Sequence, residues 1–446
     1  MADVATLAER EAEYDAFVAA HLRRNFVGHF VHGMLGLTGF RLIYAPTFIP
    51  TYIHRLTGSD ALVGLGTSLL QLGAIVSPIL SASRFETQPR ILPYAIRTGT
   101  MMRVCILGLA MSGWLLSGHA LLFATLACFF LLGTFNGIQR VAFQMLMAKV
   151  IPMNRRGRLQ AWRNMAGGLI AAGLSYVAGR WLIGGRPGLE GYADTFFLAF
   201  VLTSLGLTAL RFIMVEPVPA TLRAPMRFAD RIKTFPTLLA DRDYRWFILA
   251  EALCVCARIA GPFYILYAGQ QIGLSGRVIG ELSLAYLGAD TLSNLLWGHI
   301  GDRTGYRATF LGSTGLWAAA VALLLLVHQP WAIFVAFCGL GAGASGYQMS
   351  QQTMVLEFGE RADVAMRLAL STTIEGAIST VGPLLGGIVA TTLGYPVLMT
   401  ASLLFLAGSF VLILFKVTEP RRRTTPWLDD SNAVSDTGDG SSPRCT

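Results

Sequence analysis

Runs of about twenty apolar residues recur twelve times along this chain, and no motif in it restricts the possible folds as much. Roughly 20 apolar residues span a bilayer as a helix, and hydrocarbon offers no water to satisfy an open backbone, so each run is expected to be helical. The runs cover approximately residues 26–52, 61–83, 94–117, 120–149, 160–184, 192–215, 246–268, 277–299, 308–327, 331–356, 367–392 and 397–416, hereafter spans 1 to 12. With 54% hydrophobic and only 14% charged residues, the chain is too apolar for a water-soluble globule. The expected fold is an all-α polytopic membrane protein of twelve transmembrane helices.

The chain also repeats itself. Sliding Gly137–Gly185 onto Gly346–Gly394 matches Gly137 with Gly346, Gln139 with Gln348, Arg158 with Arg367, Gly167 with Gly376 and Gly173 with Gly382. Two pseudo-symmetric six-helix bundles are therefore expected, over 26–215 and 246–416. A cytoplasmic linker rich in Pro, Arg and Asp falls at 216–245. Residues 1–25 carry Asp3, Glu9, Glu11, Glu13 and Asp15 among small apolar residues, which suits a cytoplasmic amphipathic segment better than a cleavable signal. The tail, 417–446, turns to Ser, Asp and Gly and is expected to be disordered.

Orientation follows from the basic residues. With both termini inside, only Arg55, Arg180, Arg186 and Arg277 of the 35 Lys and Arg fall outside, while Arg41, Arg140 and Arg258 lie within spans. This asymmetry predicts cytoplasmic termini in a bacterial inner membrane. It also accounts for the net charge of +9 without a nucleic-acid partner. The cysteines form no CxxC pattern, so neither a metal nor a disulfide is expected. Phosphate-loop, zinc-site and nucleophile-elbow patterns are absent as well. The chain reads as a non-enzyme without cofactors, expected to act as a monomer.

Between spans 8 and 9 runs Gly298-His-Ile-Gly301-Asp302-Arg303-Thr-Gly305-Tyr-Arg307. Glycines at these places permit close helix approach and a tight turn, and Asp302 between two arginines can bridge helix ends. This segment resembles the signature loop of the major facilitator superfamily, and span count, linker and repeat extend the resemblance over residues 26 to 416. The corresponding loop between spans 2 and 3, Ser81 to Arg90, has Glu86 in the place of Asp302 and Pro89 where the turn glycine would be. Ile151-Pro152-Met-Asn-Arg155-Arg156-Gly157-Arg158 resembles the family's second cytoplasmic turn. The resemblance implies that spans 1, 4, 7 and 10 line a central pathway between two rocking halves. Glu86, Gly298, Asp302, Arg303, Gly305 and Arg307 are then expected to gate it.

Charged and polar groups within the spans are the candidates for function, because an ionised side chain at the bilayer centre costs at least ~2.5 kcal/mol. Arg41 on span 1 and Arg258 on span 7 occupy equivalent places in the two halves. Pro46 and Pro50 follow the first, and Gly261-Pro262 follows the second. Broken helices at paired repeat positions point to a midplane binding site. Span 4 sets Asn136, Gln139, Arg140, Phe143 and Gln144 on one face, and span 10 answers with Ser345, Gln348 and Gln352. Arg41, Arg140, Arg258, Asn136, Gln139, Gln144, Gln348, Gln352 and Tyr44 are the expected substrate contacts.

Glu251, Asp290 and Glu375 are the carboxylates within spans, and they are candidates for proton coupling. Two readings follow: either the arginines and carboxylates pair with one another to lock helices together, or the arginines coordinate an anion while a carboxylate carries a proton. His29 and His32, near one end of span 1, read as a packed pair. The leading expectation is a secondary transporter of a small anionic solute, coupled to protons or a counter-anion, and paired arginines on the first helix of each half are similar to the arrangement in organophosphate/phosphate antiporters. The alternatives are a proton-driven exporter of drug-like or amphiphilic compounds, and a non-transporting assembly factor or receptor on the same fold.

Overall fold

The computed structural model describes residues 2–86, 90–186, 188–218, 238–358 and 364–420, and these contain helices and turns but no strand. All twelve spans are helical. Span 1 consists of Ala2–Tyr44 and Phe48–Thr57, and spans 2 to 4 are Asp60–Glu86, Leu92–Leu115 and Gly118–Val150. Span 5 is Met153–Val177 continued by a π-helical turn, Ala178–Ile183, and span 6 is Glu190–Ile213. Span 7 joins Arg242–Ala257 to Tyr264–Ile272 through a 3-10 segment, Arg258–Phe263. Spans 8 to 12 are Gly276–Thr304, Tyr306–Leu326, Pro330–Glu357, Val364–Leu393 and Tyr395–Lys416. The acidic N-terminal stretch is continuous with span 1 and forms one helix with it.

Among the described residues, nine helices are long and apolar enough to cross a membrane on their own composition. The three spans that fall short are 1, 3 and 8, which carry Arg41, Arg103 and Asp290. Their polar groups are tolerated because neighbouring helices enclose them.

Packing follows the repeat. Span 1 lies against span 6, span 2 against span 4, and span 3 against both 4 and 6; in the second half, 7 lies against 12, 8 against 10, and 9 against both 10 and 12. Spans 2 and 5 of the first half meet spans 11 and 8 of the second, a pairing that maps onto itself when the halves are exchanged. At these contacts backbones nearly touch. A Cβ on Gly64 would strike the Pro383 carbonyl, and one on Gly179 would strike the Gly280 backbone. Small residues allow such approach in a bilayer, where no hydrophobic force drives helices together.

The polar links described between the halves lie at mid-bundle or toward the face away from the termini. Thr47 Oγ1 meets Ser283 Oγ at 2.6 Å, Tyr395 donates to Asp60 at 2.8 Å, and the Leu384 N–H donates to Ser68 at 3.0 Å. Arg55 donates to the Leu274 carbonyl. The bundle is thus closed on the face opposite its termini.

On the terminus-bearing face each half closes a helix end with a glutamate. Glu216 accepts from the Ile91 and Leu92 N–H groups, both at 2.7 Å, and pairs with Lys149 at 3.1 Å. Glu419 accepts from the Arg307 N–H at 3.1 Å. Both glutamates follow the last span of their half and satisfy orphan donors at the start of that half's third span.

Candidate functional site

A cavity of about 390 Å³ lies where the halves meet, and both Arg41 and Arg258 line it. Local backbone explains their placement. Pro46 lacks an N–H and interrupts span 1 just after Tyr44. In span 7, Arg258 opens the 3-10 segment that contains Pro262. Arg41 therefore stands in the last α-helical turn before a break and Arg258 at the first residue of one, and the broken segments, with Ile49, Pro50, Gly261 and Tyr264, form the wall beyond them.

Neither guanidinium is bare. Arg41 Nη1 donates to Asp290 Oδ2 at 2.6 Å and to Thr291 Oγ1 at 2.9 Å. Arg258 Nη1 donates to Glu375 Oε1 at 2.6 Å. The two pairs differ in topology: Arg41 and Asp290 come from opposite halves, whereas Arg258 and Glu375 belong to spans 7 and 11 of the same half. Both contacts are monodentate. A guanidinium carries five N–H donors, and the described partners occupy one nitrogen of each arginine, leaving its other donors available to a ligand. Tyr286 lies close enough to Arg41, Asp290 and Arg258 to feel all three charges.

Several expected residues join this site. Tyr44 and Gln348 line the cavity, as does Asp290. Asn136 donates to the Tyr44 hydroxyl at 3.2 Å and so supports it from span 4. Arg140, Gln144, Gln348 and Gln352 are all exposed. Arg140 makes no ion pair among the described residues. These four mark an approach to the cavity from the terminus-bearing side.

Two candidates are placed elsewhere. Gln139 is buried, 8% exposed, and accepts from Thr98 of span 3 at 2.7 Å, so the polar stripe on span 4 is divided between the pathway and a neighbouring helix. The stripe spans several positions, and a helix turns 100° per residue, so its edge faces another partner. Glu251 is fully buried within the second half, away from the cavity lining. Its Oε1 accepts from Gln351 and Ser371, both at 2.6 Å, while Oε2 has no hydrogen-bond partner.

The gating candidates cluster on the terminus-bearing face. Span 8 ends at Gly305, whose φ of 94° closes the turn, and a Cβ on Gly301 would collide with the Tyr306 ring. Tyr306 donates to Asp302 at 3.3 Å, and Arg307 donates to the Ile413 and Leu414 carbonyls at 3.3 and 2.8 Å. Arg303 and Asp302 are exposed, and Gly298 lies on the last turns of span 8. The Glu86 side chain falls outside the described residues. The loop is thus anchored to span 12 of its own half.

Sequence reasoning passed over Tyr264, Tyr286, Trp317 and Thr291. Tyr286 and Asp290 are four apart on one face of span 8, a signal available beforehand. It was masked by the expectation that spans 1, 4, 7 and 10 alone line the path.

Comparison with known proteins agrees with this architecture. Residues 246–433 match the family model of the Major Facilitator Superfamily. An "Uncharacterized protein Rv2209" of Mycobacterium tuberculosis is 28% identical over 214 residues, a stretch covering 46% of this chain and 41% of that protein's length. A D-xylose-proton symporter superposes with a TM-score of 0.66 at 13% identity, covering 91% of this chain and 100% of the other. The nucleoside transporter NupG gives 0.61 at 14% identity over 87% and 97% of the two chains. A bacterial homologue of the iron transporter ferroportin, in an inward-facing state, gives 0.64 at 13% identity over 88% and 98%. The family match lies in the second half, and the twelve-helix, two-bundle fold of these transporters extends over both halves.

Proposed function

We propose that the chain is a secondary transporter that carries a small anionic solute by alternating access, with both termini on the cytoplasmic side of a bacterial inner membrane and the present conformation facing inward. The observation that carries this reading is the convergence of Arg41 and Arg258, one from each half, on a single cavity, each held by one carboxylate through one nitrogen. An oxyanion approaching from the side of Arg140 and Gln348 meets the remaining N–H donors. Planar guanidinium forks suit two-point recognition of carboxylate or phosphate oxygens. As the anion engages, Asp290 or Glu375 is displaced and becomes the group that takes up a coupling proton, which leaves no naked charge in the bilayer. A cavity of about 390 Å³ suits a small solute. The structural neighbours include a nucleoside transporter and a D-xylose-proton symporter, which supports small polar solutes and proton coupling as the relevant class.

A second reading rests on the aromatic wall of Tyr44, Tyr264, Tyr286 and Trp317, which suits an exporter of amphiphilic compounds. Thermal-shift binding of a panel of small carboxylates, phosphate esters and sulfonates separates the two. Arg258→Gln and Arg258→Lys are expected to abolish stabilisation by the anion, Glu375→Gln to keep or strengthen it, and the Arg258→Gln/Glu375→Gln double variant to stay unresponsive. Recovery in the double variant makes Arg258 part of a structural salt bridge and favours the exporter. A protein that binds but moves nothing in proteoliposomes is a receptor. Orientation is tested separately by single cysteines at Ser59, Gly188 and Met153 in a background free of native cysteines, with only the first two expected to label from outside.

A further inference from the structure

Away from the central cavity, spans 1 and 5 enclose a groove of about 740 Å³ at the terminus-bearing face. Span 1 contributes Leu22, Arg23, Phe26, Val27 and Phe30, which recur at helical spacing along one face; span 5 contributes Arg155, Arg158 and Trp162. The groove is graded. Arg23, Arg155 and Arg158 ring the end nearest the helix starts, and below them the walls are apolar. Trp162 is 59% exposed and Val27 is 45% exposed, so large apolar side chains of the groove stand uncovered. None of the three arginines has an ion pair or a side-chain hydrogen bond among the described residues. Arg156, their neighbour in sequence, instead turns back to the Ile151 and Ala148 carbonyls at 2.8 and 2.7 Å. The nearest acid on the span 1 stripe is Asp15, one turn beyond Ala19 and farther from the bilayer.

We infer that this groove is a binding site for one anionic phospholipid of the adjoining leaflet, its phosphate held by Arg23, Arg155 and Arg158 and its acyl chain laid along Val27, Phe30 and Trp162. Two features select a lipid over a free phosphate. The walls below the arginines are apolar over more than a helical turn, which a phosphate does not use, and an indole beside basic side chains is the composition of the membrane interface. Basic pockets between transmembrane helices take acidic head groups for this reason. The occupant would also fasten the start of span 5 to span 1, since the groove is built from both.

Native mass spectrometry of the full-length protein, with phosphatidylglycerol or phosphatidylcholine of matched chains, tests the assignment. Each guanidinium near an anionic surface contributes about fivefold in affinity, so Arg23→Gln/Arg155→Gln/Arg158→Gln is expected to weaken phosphatidylglycerol retention on the order of a hundredfold. Arg242→Gln/Arg245→Gln, on the same face but outside the groove, should leave retention unchanged. In the intact arginine background, brominated phosphatidylglycerol should quench tryptophan fluorescence more than brominated phosphatidylcholine, and Trp162→Phe should remove that excess. Equal loss in the two arginine variants, equal quenching by the two lipids, or displacement of the lipid by millimolar inorganic phosphate would each overturn the assignment.

Discussion

Breaking the Arg41–Asp290 pair should shift the balance between access states, whereas breaking Arg258–Glu375 should not. The first pair crosses between the halves at 2.6 Å and the second stays inside one half at the same distance. Removing one member of a buried pair costs ~3–5 kcal/mol, and an exposed pair is worth ~0–1 kcal/mol. With side chains 23% and 17% exposed, Arg41 and Asp290 lie between those limits, so about 2 kcal/mol is a reasonable value for Asp290→Asn. This energy is present only while the halves are closed on the face away from the termini. Its loss should therefore move the population toward the opposite state by about thirtyfold, since ~1.4 kcal/mol is a factor of ten. The readout is the labelling rate of a single cysteine in place of Ser283, which the contact with Thr47 of the other half covers in the present state. Asp290→Asn should accelerate labelling and Glu375→Asn should leave it near wild type. Arg41→Gln should behave like Asp290→Asn, with the double variant no worse than either single change. Equal acceleration by the Asp290 and Glu375 variants would refute the division into an inter-half and an intra-half pair.

Three further outcomes follow from the packing. Gly64→Leu places a side chain against the Pro383 carbonyl, so closure of that face should fail, and single cysteines nearby should label from the side opposite the termini even when ligand is absent. Glu216→Gln weakens two charge-assisted caps on span 3 and removes the Lys149 pair; a loss of about 2 kcal/mol is expected, measured as a lower melting temperature with solute affinity retained. Asp302→Asn touches an exposed side chain with one long bond to Tyr306, so stability should change by under ~0.5 kcal/mol. Turnover in proteoliposomes should nevertheless fall, and a wild-type rate would remove Asp302 from the gating mechanism.

The layout of spans was legible because hydrocarbon imposes one rule on every segment. The equivalence of Arg41 and Arg258 was legible for the same reason, as each is an expensive exception in an apolar run. The pairing of charges was not. Arg258 has Glu251 two helical turns before it on its own helix, yet its partner is Glu375, 117 positions away on span 11. The order of the spans in space decides this, and composition does not encode it. Gln139 failed similarly: spacing put it with the pathway residues, but the packing of span 3 against span 4 brings Thr98 to it. Among the described residues nine spans declare themselves by hydropathy, and the three that do not carry Arg41, Arg103 and Asp290, whereas spans 7 and 11 stay apolar enough despite Glu251, Arg258 and Glu375.

The same electrostatics bears on how a cycle could run. A carrier with bare arginines would pay a large desolvation cost whenever it returned empty, and one with permanently paired arginines would have nothing to offer an anion. Monodentate pairing avoids both extremes. While the cavity is empty, Asp290 and Glu375 neutralise Arg41 and Arg258 and still leave donors exposed to the cavity. The two pairs then have separable consequences. Exchange at Arg258 leaves the halves as they were, so it alters affinity. Exchange at Arg41 cuts a link between halves, so an anion that reaches both arginines would couple its own binding to release of the closed face. A proton on Asp290 would release the same link without any anion. An anion and a proton would then act on one inter-half contact from its two ends, which is sufficient for one to drive the other.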